Sequence, residues 1–348
     1  MKKMIIAASL LAAASGLYAQ EGAKRMHVVE EGTGTWCGYC PTGLGTMDYI
    51  EETYPDDFIL LAYHYQDEMS VSAGTQFCKE YMKAFPTLLL NRKDNLFTSN
   101  SLSQSIANVD RVYAGISDET TFAGVSVKAY HPEELRLNRA RVEVEVEFVL
   151  DLPDASDRYQ VCLVLTENGR GPYKQNNNFS GVTNVDCGEW NNKGSRPNTY
   201  YDDVVFDIPE YPYIQNGIPA GLAKGDVHTI TRDINVGSAL ADECDVVALL
   251  IDTVSKEVVN AAKAHYRIVQ DDEEENKGNQ DGIDSVEGPS VAVNGGNGVI
   301  LLGEPASGRV FTPAGRLVAS FANASSVQVP AGLYLVHFGA DVAKVVVK

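Results

Sequence analysis

The spacing of hydrophobic residues divides the chain into regions of different character. In the first third, three short apolar-rich runs are typical of strands, and they lie within residues 26–30, 58–63 and 85–90. Three stretches have apolar residues at helical spacing instead, and they lie within residues 44–54, 73–84 and 102–113. The order strand, helix, strand, helix, strand, helix predicts a small α/β domain.

From about Thr121 the period of the apolar positions changes to two. Residues 141–148 alternate strictly between apolar and charged side chains, which predicts a strand with one buried face. Further strands are predicted within residues 159–165, 203–206, 227–230, 245–251 and 257–260. Many short strands without helices between them predict an all-β sandwich.

The two ends of the chain differ from these regions. Lys2 and Lys3 precede an apolar run at residues 4–14 and a small-residue cleavage site before Gln20, which predicts a secretory signal peptide. That run is too short to span a bilayer comfortably, so we expect no transmembrane helix. The acidic run at residues 271–275 begins a flexible linker, and glycine turns between short strands beyond it predict a small C-terminal β-sandwich.

The predicted layout therefore has five parts. They are a signal peptide (1–19), an α/β domain (20–117), a β-sandwich (118–269), an acidic linker (270–290) and a C-terminal β domain (291–348). The net charge is -19, from 28 Lys and Arg against 47 Asp and Glu. So strong an acidic balance argues against nucleic acid as a partner. An exported chain also leaves the reducing cytoplasm, so disulfides can persist in it.

The strongest chemical signal is the pair Cys37 and Cys40, directly behind Trp36. Two cysteines separated by two residues can form a reducible disulfide or half of a zinc site. A structural zinc site needs a second such pair or a closely spaced histidine pair, and the chain has neither. We therefore expect no metal, and the helix that Pro41 can begin would place the first sulfur near a helix N-terminus.

These residues, together with residues 85–87 further along, resemble the thioredoxin superfamily. The resemblance implies that Cys37 is the nucleophile, that Cys40 resolves the mixed disulfide, and that Pro86 is a cis-proline facing them. It also places a proton-transferring buried carboxylate at Glu31, with Glu30 as the alternative if the register differs by one. It implies no cofactor, and it implies substrate contacts from Trp36, Tyr39, Phe85 and Thr87. The cysteine pair has an alternative interpretation as a purely structural disulfide. For Glu31 the alternative is an ordinary solvated charge at the end of a strand.

The motif at residues 36–40 and the predicted hairpin at residues 245–260 carry a further resemblance: most of the mature chain resembles the outer membrane protein 28 family of surface proteins. The tail, with an Ala-Gly-Arg turn at residues 314–316 and a Gly-Leu-Tyr strand at residues 332–334, looks like a type IX secretion sorting domain. The resemblance implies an outer-membrane or secreted location, with a periplasmic one as the alternative. Two functions stay open. One is an extracytoplasmic thiol–disulfide oxidoreductase with protein or peptide thiols and disulfides as substrates and the type IX secretion machinery as a partner. The other is a non-catalytic, adhesin-like surface protein on the same scaffold.

Four further cysteines and several polar residues have simpler interpretations. Cys78 is expected to be a buried, inert thiol. Cys162, Cys187 and Cys244 allow three single pairings, and we expect one structural bridge and one free thiol. We expect His64 and the amide-rich residues 175–178 to lie in solvated loops.

Overall fold

The fold is described from a computed structural model over residues 22–96, 99–132, 134–136, 138–236, 244–266, 293–296, 298–311, 317–330, 332–338 and 341–347. The predicted signal peptide and acidic linker lie outside the described residues. In the described ranges, no helix is long and apolar enough to cross a membrane.

The described chain is mostly β, with three α-helices in its first third. The helices are α1 (Cys40–Thr53), α2 (Ser72–Tyr81) and α3 (Leu102–Ile116). Two short 3-10 helices span Ser156–Arg158 and Gly188–Asn191. The strands are β1 (Ala23–Lys24), β2 (His27–Thr33), β3 (Phe58–His64), β4 (Thr87–Leu90), β5 (Asp94–Asn95), β6 (Thr120–Thr121), β7 (Ala123–Tyr130), β8 (Arg139–Phe148), β9 (Tyr159–Glu167), β10 (Arg170–Lys174), β11 (Asn198–Tyr201), β12 (Val204–Asp207), β13 (Val227–Asn235), β14 (Cys244–Asp252), β15 (Val258–His265), β16 (Val293–Gly296), β17 (Val299–Phe311), β18 (Leu317–Gln328), β19 (Gly332–Phe338) and β20 (Asp341–Val347).

An eight-stranded sheet forms the centre of the fold, in the order β15, β14, β9, β12, β3, β2, β4 and β5. The pairs β2–β3 and β3–β12 are parallel, and the other pairs in this sheet are antiparallel. Strands from both sides of the predicted boundary near residue 118 therefore belong to one sheet. The physical reason lies in β3, which is buried along its whole length and needs a hydrogen-bonding neighbour on each side.

Apolar layers cover both faces of the central sheet. On one face, the three-stranded sheet β13–β8–β7 packs its inward-facing residues, including Val142, Val144 and Val146, against β9 and β14. On the other face, Phe77 of α2 packs with Tyr63 of β3. At the β2–β4 end, α1 and α3 form a separate cluster. The strict alternation predicted for residues 141–148 is confirmed as the two faces of β8.

Strands β16 to β20 form a separate five-stranded antiparallel sheet. Its core includes Ile300, Val310 and Val336. The predicted short strands in this region are therefore present as strands. The turn at residues 314–316, on which the sorting-domain resemblance partly depends, lies outside the described residues.

Candidate functional site

The Cys37–Cys40 disulfide lies at the start of α1. The helix begins at Cys40, and Pro41 occupies its first turn, where a missing backbone N–H costs nothing. The two Cα atoms are 5.4 Å apart, within the usual disulfide range. Cys37 is 4% exposed and Cys40 is fully buried. The motif is therefore an intact disulfide covered by neighbouring parts of the chain.

Glu31 and Pro86 meet next to the first turn of α1, at Gly43. A Cβ atom added to Gly43 would lie 2.3 Å from Oε1 of Glu31 and 2.9 Å from Cβ of Pro86. The peptide bond between Phe85 and Pro86 is cis, as the resemblance implies. Only a glycine at position 43 allows this approach, so helix, carboxyl group and proline form one closely packed group.

Glu31 is a completely buried acid. Neither of its carboxyl oxygens has a hydrogen bond of normal geometry among the described residues, although the Thr33 hydroxyl is close enough to lower its pKa. Burial raises its pKa well above that of an ordinary glutamate, and the negative charge of Asp48 adds to this rise. Glu31 therefore keeps its proton to a higher pH than a solvated glutamate does, so the predicted burial is confirmed and the solvated alternative is wrong.

Glu30, the alternative carboxylate, is bound elsewhere. Arg92 donates to it from Nε and Nη2, each at 2.9 Å, and the Tyr63 hydroxyl donates at 2.9 Å. The Glu30 side chain is fully buried and that of Arg92 is 4% exposed. Both carboxyl oxygens of Glu30 are thus bound by Arg92, whereas those of Glu31 are not bound by a cation.

Aromatic side chains surround the motif on its accessible side. Trp36 is 44% exposed, and its indole nitrogen donates to the Tyr65 carbonyl at 2.6 Å. The Phe85 ring stacks on Tyr65 and meets the edge of Trp36, with centroids 5.2 and 5.5 Å apart. Tyr39 is 47% exposed. Thr87, by contrast, is buried, so of the four predicted substrate contacts its side chain is the least accessible.

Residues 175–178, here called the covering segment, pack directly on the cysteine motif. Backbone N–H groups of Asn176 and Asn178 donate to the carbonyls of Thr35 and Gly38, at 2.8 and 2.9 Å. The Gln175 side chain donates to the carbonyl of Cys37 at 2.8 Å. The expectation of a solvated loop is wrong for Gln175 and Asn177, which are buried and donate to backbone carbonyls, whereas Asn178 is exposed.

The covering segment is fixed by a buried hydrogen bond from β11. Gln175 is fully buried, and Tyr201 donates its hydroxyl to the Gln175 side-chain oxygen at 2.7 Å. A Cβ atom on Gly38 would lie 2.3 Å from the Asn178 side chain, so a larger residue at position 38 would require that exposed side chain to move. Sequence analysis did not assign Gln175 or Tyr201 to the site. The only signal was a run of amide residues more than 130 positions after the motif.

Replacing Gln175 with alanine is expected to loosen this cover. The change leaves the Cys37 carbonyl with only the Cys40 N–H, at 3.3 Å, and removes the acceptor of the Tyr201 hydroxyl, which costs about 1–3 kcal/mol for a buried group. We expect dithiothreitol to reduce the disulfide faster, followed by quenched thiol labelling over time. Lys174→Ala, at an exposed neighbouring position, is the control. Equal reduction rates in the two variants would show that the segment does not limit access.

His64 is the last residue of β3, and its side chain is buried. Nδ1 lies 2.7 Å from Oδ2 of Asp67, and the same oxygen accepts the Thr35 N–H at 2.9 Å. The prediction of a solvated loop histidine is therefore wrong. The arrangement ties the end of β3 to the residue just before the motif.

The remaining four cysteines are free and buried. The expected bridge among Cys162, Cys187 and Cys244 is wrong, because the three belong to three different core clusters. Burial raises the pKa of Cys162 to about 11 and those of Cys78 and Cys244 to about 12. Such thiols are poor nucleophiles at neutral pH, as expected for Cys78.

Fold and site together define a mostly β protein with a Cys-x-x-Cys disulfide at the start of a helix. The chain is similar to HBP35 of Porphyromonas gingivalis, with 21% identity, a TM-score of 0.52, and coverage of 94% of this chain and all of that one. A protein from Agrobacterium tumefaciens aligns at 15% identity over 74% of this chain and all of its own, with a TM-score of 0.40. No known family model and no curated protein matches the sequence. At this level of identity the likeness to HBP35 shows a shared fold.

Proposed function

We propose that the chain is an exported thiol–disulfide oxidoreductase whose N-terminal region, residues 20–117, is thioredoxin-like. One observation carries the proposal: the Cys37–Cys40 disulfide, the buried Glu31 and the cis Pro86 lie together around the first turn of α1. A structural disulfide requires neither a buried unpaired acid nor a cis-proline beside it. An exchange reaction uses both, one for the proton and one for holding the substrate.

The proposed reaction begins with the reduced pair. The Cys37 thiolate attacks one sulfur of a substrate disulfide, forms a mixed disulfide and releases the first substrate thiolate. The Cys40 thiol then loses its proton to the carboxylate form of Glu31, and its sulfur attacks Cys37. This releases the second substrate thiolate and restores the Cys37–Cys40 disulfide, so two electrons pass from the protein to the substrate.

The proposed substrate is a protein or peptide that contacts the exposed aromatic side chains beside the motif. Trp36 and Tyr39 supply rigid apolar area on the two sides of the disulfide, and Phe85 extends the Trp36 side. The backbone around Pro86 and Thr87 is proposed to hold the substrate chain. The signal peptide predicted from the sequence, and the resemblance of residues 291–348 to a sorting domain, support the proposal of delivery to the outer membrane or cell surface by the type IX secretion machinery.

A second candidate is a non-catalytic surface binding protein on the same scaffold. The observation favouring it is the covering segment, which hydrogen-bonds the motif and leaves both sulfurs buried. Under this alternative the disulfide only fixes the loop before α1. The two candidates differ in whether Cys37 carries out thiol–disulfide exchange with a substrate.

Reduction of a disulfide-bonded test protein by dithiothreitol separates the candidates. We expect the purified mature protein to accelerate the reaction, and Cys37→Ser to lose that acceleration because no other described thiol is accessible. Cys78→Ser removes a buried free thiol and serves as the matched control. A potential below about −300 mV, typical of inert structural disulfides, together with no turnover dependent on Cys37, would establish the second candidate instead.

A further inference from the structure

A surface groove of about 370 Å³ is lined by Trp36, the residue directly before Cys37. Tyr173 lines it as well, so the groove has two aromatic side chains in its wall. Phe85, whose ring meets the edge of Trp36, is not part of the lining. The groove therefore adds a second accessible surface beside the disulfide, separate from the contact between Trp36 and Phe85.

Two antiparallel segments form one wall of the groove. The backbone hydrogen bonds between residues 175–177 and 195–197, at 3.1 and 2.9 Å, continue the pairing of β10 with β11 in the same register. Arg196 therefore lies opposite Asn176. Because side chains alternate between the two faces of a strand, Lys174 shares a face with Asn176, and Arg196 lies on that face with them. All three line the groove.

The two cations of this wall have no ion-pair partner. Lys174 and Arg196 are both exposed, and neither forms an ion pair with another described residue. Of the described residues in the lining, Glu68 alone is acidic. The groove thus carries an excess of positive charge on a chain whose net charge is -19.

Both cations lie close to the disulfide along the chain that covers it. The Asn176 side chain donates to the Trp36 carbonyl at 2.8 Å, and the Gln175 side chain donates to the Cys37 carbonyl at 2.8 Å. Lys174 is the next residue, one step of about 3.8 Å between Cα atoms. An extended chain that advances about 3.4 Å per residue therefore passes from the sulfurs to the cations in about three residues.

We propose that this groove selects substrates with an Asp or Glu side chain about three residues from the reacting cysteine. A carboxylate can accept two parallel hydrogen bonds from the Arg196 guanidinium, and Lys174 adds a second positive charge. Trp36 and Tyr173 supply apolar area for the chain between cysteine and carboxylate. The inference rests on the proposed function in taking the bound chain to be a substrate, and it adds the chemistry by which that substrate is chosen.

Exchange with a pair of matched peptides tests the preference. Each peptide has one cysteine, joined to 2-thiopyridine through a disulfide, and carries either Glu or Gln at the third position on both sides. The Cys37 thiolate of the reduced mature protein attacks the peptide sulfur and releases 2-thiopyridone, whose absorbance gives the rate. Cys40 then attacks Cys37, which releases the peptide thiol and restores the protein disulfide.

The Glu peptide is expected to react about threefold to tenfold faster than the Gln peptide at low salt, because complementary charge acts mainly on encounter and specificity. At about 1 M salt, where the screening length is about 3 Å, we expect the two rates to converge. Dithiothreitol, an uncharged dithiol, is reacted with both peptides to correct for any effect of the glutamates on the peptide disulfide itself.

Charge reversal locates the site. Arg196→Glu is expected to abolish the preference for the Glu peptide, and adding Lys174→Glu should invert it, so that a peptide with Lys at the same positions reacts fastest. Lys224→Glu makes the same change in charge at an exposed position outside the groove lining and should keep the preference. A purely structural role of Arg196 would slow all the peptides alike.

Binding separates this inference from the proposed function. Anisotropy of labelled peptides with Ser in place of Cys gives their affinity for the oxidised protein, where no exchange takes place. Equal exchange rates for the Glu and Gln peptides, or the same preference in Arg196→Glu and Lys224→Glu, would overturn the inference and leave the proposed function standing. Tighter binding of the Glu peptide without exchange dependent on Cys37 would do the reverse, and equal binding without exchange would overturn both.

Discussion

Replacement of Arg92 by methionine is expected to destabilise the protein by about 3–5 kcal/mol, the cost of breaking a buried ion pair from one side. The Glu30 carboxylate is fully buried and would keep only the Tyr63 hydroxyl as a hydrogen-bond donor. The guanidinium carbon of Arg92 lies 5.0 Å from the centroid of the Phe77 ring, so the loss includes this cation–π contact, while methionine keeps an unbranched stem of similar length and limits the cavity. Guanidinium denaturation followed by circular dichroism measures it.

Two further variants separate this effect from a general loss of charge. Lys93→Met removes a cation whose partner, Glu257, lies 3.6 Å away and whose side chain is 60% exposed. We expect it to change the free energy of unfolding by less than about 1 kcal/mol. Adding Glu30→Leu to Arg92→Met should recover part of the lost stability, because the uncompensated charge is then gone while the Tyr63 hydroxyl loses its acceptor. A double variant as unstable as Arg92→Met would contradict this explanation.

Replacement of Glu31 by glutamine is expected to change how stability depends on pH. The pKa of Glu31 is raised on folding, so above about pH 4.3, the pKa of a free glutamate, the unfolded chain loses its proton first. The folded state then binds more protons than the unfolded state, and stability falls as the pH rises. The fall amounts to about 1.4 kcal/mol per pH unit until Glu31 itself ionises.

Glu31→Gln removes that contribution, so its free energy of unfolding should fall less steeply between pH 5 and pH 8. The remaining slope includes falls from Glu51 and Asp203, whose pKa values are also raised, to about 8 and about 6, and a rise from His27, whose pKa is lowered by burial. Urea denaturation at half-unit intervals of pH gives both slopes. Glu52→Gln is the control. Parallel curves for wild type and Glu31→Gln would mean that Glu31 ionises in the folded protein as it does in solution.

The local elements could be predicted from the sequence, because each depends on a pattern within a few residues. The helix after Cys40, the strand at residues 58–63 and the hairpin of β14 and β15 are all confirmed. The pairing of β12 with β3 could not be predicted. It joins positions about 140 residues apart, and neither strand carries a local sequence pattern that identifies the strand with which it pairs. The continuous apolar runs of β9 and β14 indicated burial on both faces but not the layers that cover them.

The same distinction applies to the candidate site. The thioredoxin resemblance predicts site residues inside and next to the motif, and it also predicts Glu31 and Pro86. Gln175 and Tyr201 could not be placed, because they approach the motif through tertiary structure alone. The free cysteines were misjudged for a related reason. Counting thiols gives the number of possible bridges, whereas distance between core clusters decides whether any bridge forms.

The position of β12 in the central sheet has a consequence for the order in which the chain folds. The motif, α1 and β3 emerge early, but β3 keeps an unpaired edge until residues near 204 arrive. Contacts that span so much sequence close slowly, and an open edge invites pairing with other chains. The two cysteines are thus in place before the residues that cover them. The disulfide therefore has time to form, or to be exchanged, before residues 175–178 cover it.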